Sequence, residues 1–355
     1  MKVITVVGAR PQFVKLRPVS RALRRAGIAE FVLHTGQHFD YEMSARFFDE
    51  LELPAPDENL GVNRQSRARQ AAAMIAGITD AIERERPEVV IVFGDTTSTL
   101  AGALAANMSG VRVAHVEAGM RSRNREMPEE LNRITADHAA DLLFAPSALA
   151  VANLREERVQ GELHDVGDVM YDVVLEVASL AREAPPPWQR LGVEPRRYCL
   201  FTLHRAENTA SAERLRPLLE VARRSPLPIV FPVHPRTRQV IGEFGLAGLL
   251  DAPHVQLVEP LPFCDSIRLA GAAHAVVTDS GGLQKEAFYQ RVPCVTLREE
   301  TEWGETVELG WNRLVGRDTA AALEAISAAA PGVEGARPYG DGHAGEAIAR
   351  ILRGR

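Results

Sequence analysis

The chain of 355 residues is long enough for two domains, each with its own hydrophobic core. Its 46% hydrophobic and 25% charged residues are typical of a globular protein and exclude a disordered one. The net charge of −6, without a basic block, argues against a nucleic-acid partner. No signal sequence and no apolar run of about 18 residues is present, which predicts a cytoplasmic protein without a membrane partner. The cysteines, Cys199, Cys264 and Cys294, lack metal-ligand spacing and are interpreted as reduced core residues.

The first half of the chain alternates short β-rich runs with amphipathic segments of helical spacing. Strands are predicted at 3–7, 30–34, 89–93, 112–116 and 141–144. Helices are predicted at 18–27, 65–86, 98–110 and 129–140. This alternation predicts a parallel sheet covered by helices on both faces.

A proline-rich break at 184–187 predicts a linker, and a second series of strands follows it. These strands are predicted at 198–203, 228–233, 254–258, 274–278 and 293–297. We therefore expect an α/β protein with two Rossmann-like, doubly wound parallel-sheet domains that face each other across a cleft.

The stretch from Ala275 to Glu286 predicts a strand, a turn and the start of a helix. Ser280, Gly281 and Gly282 form the turn, so an anion could approach bare backbone N–H groups at a helix start, where the helix dipole favours a phosphate. Glu286 lies one turn further and could accept a hydrogen bond from a ribose hydroxyl. An ordinary strand-to-helix turn is the competing interpretation.

Polar residues follow several other predicted strands. They occur at 8–15, 34–38, 94–97, 115–119, 204–208 and 234–236. Any one of these could be a structural turn or cap, but the carboxyl ends of parallel strands meet at one sheet edge, where ligands bind. The segment 8–15 lacks the second and third glycines of a dinucleotide fingerprint. The set therefore predicts a binding site of another kind.

The residue types at these positions indicate proton transfer beside a bound diphosphate. Arg10 and Lys15 are the cations of the first domain, and the turn at 280–282 is the anion-binding element of the second. Asp95, Glu117 and Glu129 could supply the acid and the base. For Glu129, the alternative is a first-turn charge that stabilises a helix.

Seven segments together resemble one family, the non-hydrolysing UDP-N-acetylglucosamine 2-epimerases. They are residues 8–15, 94–99, 115–121, 127–133, 204–208, 279–287 and 339–342. The resemblance implies a GT-B-type fold with domains at 1–167 and 168–337. It also implies a C-terminal segment, about 338–355, that packs back on the first domain, a homodimer, and neither a metal nor a nicotinamide cofactor.

The resemblance further implies a reaction. A carboxylate removes the C2 proton of a UDP-sugar while UDP leaves C1, and UDP adds back after C2 of the 2-acetamidoglucal is protonated on its other face. The implied catalytic residues are Asp95, Glu117, Glu129 and His204. The implied substrate-binding residues are Arg10, Lys15, Arg133, Ser280, Gly281, Gly282 and Glu286.

The sequence departs from the well-known bacterial members at Trp303, which stands where they have an arginine. Other motifs resemble a branch that includes epimerases of UDP-2,3-diacetamido-2,3-dideoxyglucuronate. Such a uronate would need an additional cation, for which Arg123, Arg125 and Arg298 are candidates, although all three could be surface arginines.

Three other readings stay open at this level. A hydrolysing relative would release free N-acetylmannosamine and UDP. A glycosyltransferase of the same fold would need an acceptor groove and has no use for three carboxylates at one sheet edge. A silent sugar-nucleotide sensor would not need Asp95, Glu117, Glu129 and His204 together.

Overall fold

The computed structural model describes residues 1–37, 53, 55–63, 66–180 and 185–354, apart from the side chains of Arg10 and of residues 178–180. His38 of the predicted loop at 34–38, Ala184 of the predicted linker and the Arg10 side chain therefore lie outside the described residues. The chain divides into unit 1, Met1–Leu175 with Arg337–Arg355, and unit 2, Glu176–Ala336. Among the described helices, none is long and apolar enough to cross a membrane.

The described strands form one parallel sheet in each unit. In unit 1 they are β1 (Lys2–Val7), β2 (Ala29–His34), β3 (Glu58–Asn59), β4 (Val89–Phe93), β5 (Arg112–Val116), β6 (Leu142–Ala145) and β7 (Glu162–Asp165), in the order β3-β2-β1-β4-β5-β6-β7. In unit 2 they are β8 (Cys199–Thr202), β9 (Ile229–Pro232), β10 (Val255–Val258), β11 (Ala275–Thr278), β12 (Cys294–Thr296) and β13 (Asn312–Leu314), in the order β10-β9-β8-β11-β12-β13.

Helices alternate with these strands along the described chain. They are α1 (Arg10–Arg25), α2 (Arg67–Glu85), α3 (Thr97–Met108), α4 (Pro128–Ala139), α5 (Ala148–Glu156), α6 (Val169–Leu180), α7 (Pro187–Arg190), α8 (Ala206–Thr209), α9 (Ala212–Arg224), α10 (Pro235–Glu243), α11 (Phe263–Ala272), α12 (Gly281–Tyr289), α13 (Gly304–Glu308), α14 (Thr319–Ser327) and α15 (Ala344–Arg353). A short 3-10 helix covers Ala247–Leu250.

Burial on both faces explains why the central strands are almost continuously apolar. Every residue of β4 is buried, as expected for a parallel strand covered by helices on both sides. In the core of unit 1, Phe13 and Leu16 of α1 belong to the same cluster as Ile348 and Leu352 of α15. Gly345 permits this close contact, because a Cβ there would come within 2.8 Å of the Pro18 backbone.

The core of unit 2 lies between its sheet and the neighbouring helices. Phe201 and Phe231 pack edge to face with their ring centroids 4.9 Å apart. Cys199 and Cys294 are buried as predicted, whereas Cys264 is partly exposed, so the prediction of a core position was wrong for it; none of the three forms a disulfide. Burial raises the pKa of both buried thiols to about 12, so neither is a reactive thiolate at neutral pH.

The strand order reverses beside β1 in unit 1 and beside β8 in unit 2. β1 lies between β2 and β4, and β8 lies between β9 and β11, so each sheet has a topological switch point at its first strand. The predicted pair of Rossmann-like, doubly wound parallel-sheet domains is confirmed. Three short strands, β3, β7 and β13, were not predicted, and α1 begins earlier than expected, at Arg10, with Pro11 in its first turn.

Candidate active site

The loop after β1 is tied to the end of β4 by one side chain. Gln12 Oε1 accepts hydrogen bonds from the backbone N–H groups of Gly8, at 2.8 Å, and Ala9, at 3.0 Å. Its Nε2 donates to the carbonyl oxygen of Phe93 at 2.9 Å. The two loops that flank the switch point of unit 1 are thereby held in one arrangement.

Lys15 and Glu117 meet at this sheet edge. The Lys15 ammonium contacts the Glu117 carboxylate, and the two side chains are only 14% and 8% exposed. Glu117 follows β5 with a φ of 66°, a left-handed conformation that a residue with a side chain rarely adopts. A Cβ at Gly94 would lie 3.1 Å from Glu117 Oε2 and 3.4 Å from Lys15 Nζ, so the glycine leaves room for the pair.

Asp95 is held by helix α4. The Arg133 guanidinium contacts the Asp95 carboxylate, and Asn132 Nδ2 donates to the Asp95 carbonyl oxygen at 2.8 Å. The Asp95 side chain remains 30% exposed. Because Phe93 of β4 pairs with Val116 of β5, Asp95 and Glu117 follow neighbouring strand ends. The structure thus brings the predicted Lys15, Asp95, Glu117 and Arg133 to one edge of the sheet in unit 1.

The two glutamates at the start of α4 have different surroundings. Glu129 is exposed. Glu130 is buried and accepts hydrogen bonds from the backbone N–H groups of Ser122, at 2.8 Å, and Arg123, at 2.9 Å. Burial alone would raise the pKa of Glu130, but these hydrogen bonds lower it overall. Glu130 therefore anchors the preceding loop, whereas the carboxylate of Glu129 remains accessible.

A buried charge network near Glu117 was missed at the level of sequence. Asp137 on α4 lies 2.7 Å from His115 Nδ1 through Oδ1 and 2.7 Å from Arg121 Nη1 through Oδ2. Burial alone would raise the pKa of Asp137, but His115 and Arg121 lower it. The signal available in the sequence was helical spacing alone, since Asp137 lies one turn after Arg133 on α4.

In unit 2, His204 follows β8 and contacts the residue that follows β11. Its Nδ1 lies 3.2 Å from Asp279 Oδ1, and its ring is 48% exposed while Asp279 is fully buried. Asp279 also accepts from the Arg205 backbone N–H, at 3.0 Å, and from Asn208 Nδ2, at 3.1 Å. Burial alone would raise the pKa of Asp279, but the His204 contact and these hydrogen bonds lower it. The charged carboxylate therefore orients the exposed imidazole.

The predicted anion-binding turn starts helix α12. Ser280 is the N-cap, and its hydroxyl accepts from the Leu283 backbone N–H at 3.4 Å. Gly282 is exposed, and a Cβ there would meet no atom closer than 4.0 Å. Gly281 borders the indole of Trp303, whose Nε1 would lie 3.5 Å from a Cβ at Gly281. The first turn of this nine-residue helix thus presents accessible backbone N–H groups.

Two further features surround this turn. Burial raises the pKa of Glu286 to about 7, although Lys285 lowers it in part. The Lys285 ammonium lies 3.9 Å from the ring centroid of Trp303. Arg298 is bound by Glu302 through contacts of 3.0 and 3.2 Å, with both side chains buried. Arg298 is therefore compensated by its own carboxylate rather than being a surface arginine.

Each of the two Rossmann-like units carries candidate functional groups at the carboxyl ends of its strands. Unit 1 has the carboxylates of Asp95 and Glu117, and unit 2 has a helix start of the kind that binds phosphate. These features define an enzyme of the GT-B type that acts on a nucleotide sugar. A family model described as UDP-N-acetylglucosamine 2-epimerase matches residues 21–353. The chain belongs to the UDP-N-acetylglucosamine 2-epimerase family, which confirms the resemblance seen in the motifs.

Individual relatives agree with this assignment over the whole chain. A UDP-N-acetylglucosamine 2-epimerase homolog from Methanococcus maripaludis is 43% identical, with 99% of both chains covered. The UDP-2,3-diacetamido-2,3-dideoxy-D-glucuronate 2-epimerase of Pseudomonas aeruginosa is 42% identical, again with 99% of both chains covered. The crystal structure of the Methanocaldococcus jannaschii UDP-GlcNAc 2-epimerase in complex with UDP-GlcNAc and UDP superposes with a TM-score of 0.89 at 38% identity, covering all of both chains. The predicted GT-B-type fold is confirmed.

Proposed function

We propose that the protein converts UDP-N-acetylglucosamine to UDP-N-acetylmannosamine without hydrolysing it, as an isomerase that needs no added cofactor. The observation that carries this proposal is the position of Asp95 and Glu117 at neighbouring strand ends, each in contact with a cation on a helix. Inversion at C2 needs proton transfer on two faces of one carbon, and two or more carboxylates at one sheet edge can supply it.

The reaction is an elimination followed by an addition. One group takes the C2 proton while the C1–O bond breaks and UDP leaves, which gives a 2-acetamidoglucal. UDP then bonds again to C1 while a proton is delivered to the opposite face of C2. Asp95, Glu117 and Glu129 form the acid and base set in this proposal. Lys15 and Arg133 hold two of these carboxylates in place and add positive charge where the diphosphate departs.

Residues of unit 2 bind the nucleotide in this scheme. The first turn of α12, at Ser280, Gly281 and Gly282, supplies backbone N–H groups for a phosphate. Glu286 accepts from a ribose hydroxyl. His204, which Asp279 orients, donates to the departing diphosphate. Arg10 is the additional phosphate ligand that the family resemblance implies.

Proton NMR in D2O with UDP-N-acetylglucosamine as the only added substrate tests the proposal. Deuterium at C2 together with a growing UDP-N-acetylmannosamine signal is the expected result. Free N-acetylmannosamine and UDP would instead identify a hydrolysing enzyme. A substrate spectrum that stays unchanged would contradict the activity on UDP-N-acetylglucosamine.

The similarity to the Pseudomonas aeruginosa enzyme makes UDP-2,3-diacetamido-2,3-dideoxyglucuronate the second candidate substrate. The buried pair of Arg298 and Glu302 argues against it, because Arg298 is already neutralised and offers little positive charge to a uronate. Arg123, another candidate cation for the uronate, is exposed, and its Nη2 lies 3.4 Å from Oε2 of Glu156, so it also has a carboxylate beside it. The same NMR assay with the uronate separates the two substrates by which one exchanges its C2 proton.

We also infer that the enzyme is a homodimer, as the family resemblance implies, and its cytoplasmic location stays a prediction of the sequence. Light scattering of the purified protein should give twice the mass of 38.8 kDa that one chain has. A single-chain mass at catalytic concentration would contradict the dimer.

A further inference from the structure

The carboxylate of Asp137 connects helix α4 to both loops that carry candidate catalytic acids. Asp137 Oδ1 lies 2.7 Å from His115 Nδ1, and His115 Nε2 lies 2.8 Å from the carbonyl oxygen of Gly94, the residue before Asp95. Asp137 Oδ2 accepts from the backbone N–H of Gly119, two residues after Glu117, at 3.1 Å. One side chain therefore holds the loop after β4 and the loop after β5.

Both ring nitrogens of His115 lie against hydrogen-bond acceptors. A charged carboxylate and a backbone carbonyl can only accept, so both ring nitrogens must donate. Only the doubly protonated imidazolium has two donors. A neutral ring would direct the lone pair of one nitrogen at an acceptor and lose one of the two contacts.

The surrounding charges make a buried imidazolium acceptable. The side chains of His115 and Asp137 are fully buried, and Arg121, which contacts Asp137 at 2.7 Å, is 3% exposed. Arg121 also donates to Glu157 through Nε, at 2.7 Å, and Nη2, at 2.6 Å. With an imidazolium at His115, this residue and Arg121 carry two positive charges, and Asp137 and Glu157 carry two negative charges. The network is thus neutral and fully hydrogen-bonded, which offsets the cost of burying charge.

We propose that Asp137 and His115 are positioning residues of the epimerase, an ion pair in which an imidazolium bridges α4 to the Gly94 carbonyl and so sets the distance between Asp95 and Glu117. This inference rests on the proposed function for its kinetic consequence and on the geometry alone for the protonation of His115. Gly94 links this ion pair to both candidate acids, because it adjoins Asp95 in the chain and lies against the pair of Lys15 and Glu117.

The first test is kinetic and uses Asp137→Asn with Asp141→Asn as its matched control. Asp141 accepts from the backbone N–H of Val113 at 2.8 Å, at the opposite end of β5 from Glu117. Misplacement of a catalytic group by about 1 Å costs about 100-fold in rate. We expect Asp137→Asn to lower kcat about 100-fold with KM changed less than about 3-fold, and Asp141→Asn to leave both unchanged. Equal kcat values for Asp137→Asn and wild type would overturn the positioning role.

Two substitutions of His115 separate positioning from simple loss of stability. His115→Gln keeps a donor that can reach the Gly94 carbonyl, whereas His115→Asn keeps only the donor toward Asp137. Both remove the charge, so their unfolding temperatures should fall alike. Higher kcat for the Gln variant is the expected result; equal or reversed kcat values would show that the Gly94 contact does not matter.

The second test does not depend on activity. Nitrogen-15 NMR of histidine-labelled protein at pH 7, with His115 assigned by its substitution, should show both ring nitrogens protonated. The groups that face this ring or its partners are Asp137, Arg121 and Glu157, with the Lys15–Glu117 pair behind Gly94. A neutral tautomer at pH 7 would overturn the imidazolium bridge. If wild type showed no epimerisation but His115 were doubly protonated, the proposed function would fail and the bridge would stand.

Discussion

The ammonium of Lys15 contacts the carboxylate of Glu117, although the two residues lie 102 positions apart in the chain. Helix α1 brings the lysine and the end of β5 brings the glutamate. Their side chains are largely buried at the switch point of unit 1. Desolvation strengthens such a pair and makes the loss of one partner costly.

Removing the Lys15 charge should therefore impair the reaction. We expect Lys15→Gln to lower kcat about 100-fold, because Glu117 loses the group that orients it and the leaving diphosphate loses a cation. Lys2→Gln is the matched control, since Lys2 also forms an ion pair, at 2.7 Å with Glu85, but is 40% exposed. Steady-state kinetics with UDP-N-acetylglucosamine would check this. An equal effect of both substitutions would count against a catalytic role for the Lys15–Glu117 pair.

The neighbours Glu129 and Glu130 should respond in opposite ways to the same substitution. Glu129→Gln should abolish epimerisation and leave the unfolding temperature and UDP affinity nearly unchanged, because Glu129 is exposed. Glu130→Gln should lower the unfolding free energy by about 1–3 kcal/mol, because an amide would face the N–H groups of Ser122 and Arg123. Turnover assays, calorimetric titration with UDP and thermal unfolding measure the three quantities. Wild-type turnover in Glu129→Gln would remove Glu129 from the acid and base set.

This pair also illustrates how far the sequence alone could lead. Pattern and turn residues predicted the buried central strands and the helix starts near Pro128 and Gly281, since these depend on local spacing. Which of two adjacent glutamates is buried depends on how α4 is rotated against the Ser122 loop, and no local pattern records that. Short strands such as β7, Glu162–Asp165, lack an apolar run and become strands only by pairing with β6.

Contacts between residues that lie apart in the chain set the second limit on prediction from the sequence. Asp137 and His115 are 22 positions apart, and their contact arises only when α4 packs beside β5. Arg298 was a candidate cation for a uronate, yet Glu302, four positions later in a segment that is not helical, is its buried partner. Residue types thus indicated the chemistry of the site, whereas charge compensation became visible only in three dimensions.

Glu286 should make the stability of unit 2 depend on pH in an unusual direction. Burial raises its pKa to about 7, so the folded state holds the proton more firmly than the unfolded chain does. The stability linked to the Glu286 proton is therefore fully present at a pH below the ordinary pKa of a glutamate. It is lost as the pH rises through the raised pKa of about 7. We expect Glu286→Gln to unfold at a higher temperature than wild type by a margin that grows from about pH 5 to about pH 8.

Differential scanning fluorimetry at the two pH values checks this expectation for Glu286. Glu259→Gln serves as the control, because its side chain is 77% exposed. A margin that stays constant or shrinks between the two pH values would show that the Glu286 carboxyl is not protonated near neutrality.

Asp279 and His204 should separate stability from activity. Asp279→Asn would put an amide against the donors of Arg205 and Asn208 in a fully buried position, and we expect a loss of about 3 kcal/mol in unfolding free energy. Because its pKa is lowered, the loss should be complete at neutral pH and disappear as acid protonates the wild-type carboxylate. His204→Gln should lower the unfolding temperature less than Asp279→Asn does, since the ring is 48% exposed and the other donors to Asp279 remain, and it should lose turnover. Urea titrations measure the unfolding free energy of both variants, and steady-state kinetics at the same pH measure their turnover. A larger loss of unfolding free energy in His204→Gln than in Asp279→Asn would contradict this expectation.

Trp303 and Lys285 form a cation–π contact. The ammonium lies 3.9 Å from the indole centroid, with both residues buried beside the first turn of α12. A desolvated cation–π contact of this kind stabilises by about 2 kcal/mol. Trp303→Arg, which introduces the arginine of the well-known bacterial branch, would replace that attraction by repulsion between two cations. The single variant should therefore unfold at a lower temperature and turn over more slowly than wild type.

Adding Lys285→Glu to Trp303→Arg should restore part of both losses, since an arginine and a glutamate can form an ion pair in the same place. Trp303→Phe is the control and should cost little stability, because it keeps an aromatic ring over the Lys285 ammonium. A double-mutant cycle on unfolding free energy measures the coupling, and additive effects of Trp303→Arg and Lys285→Glu would mean that the two side chains do not act on each other.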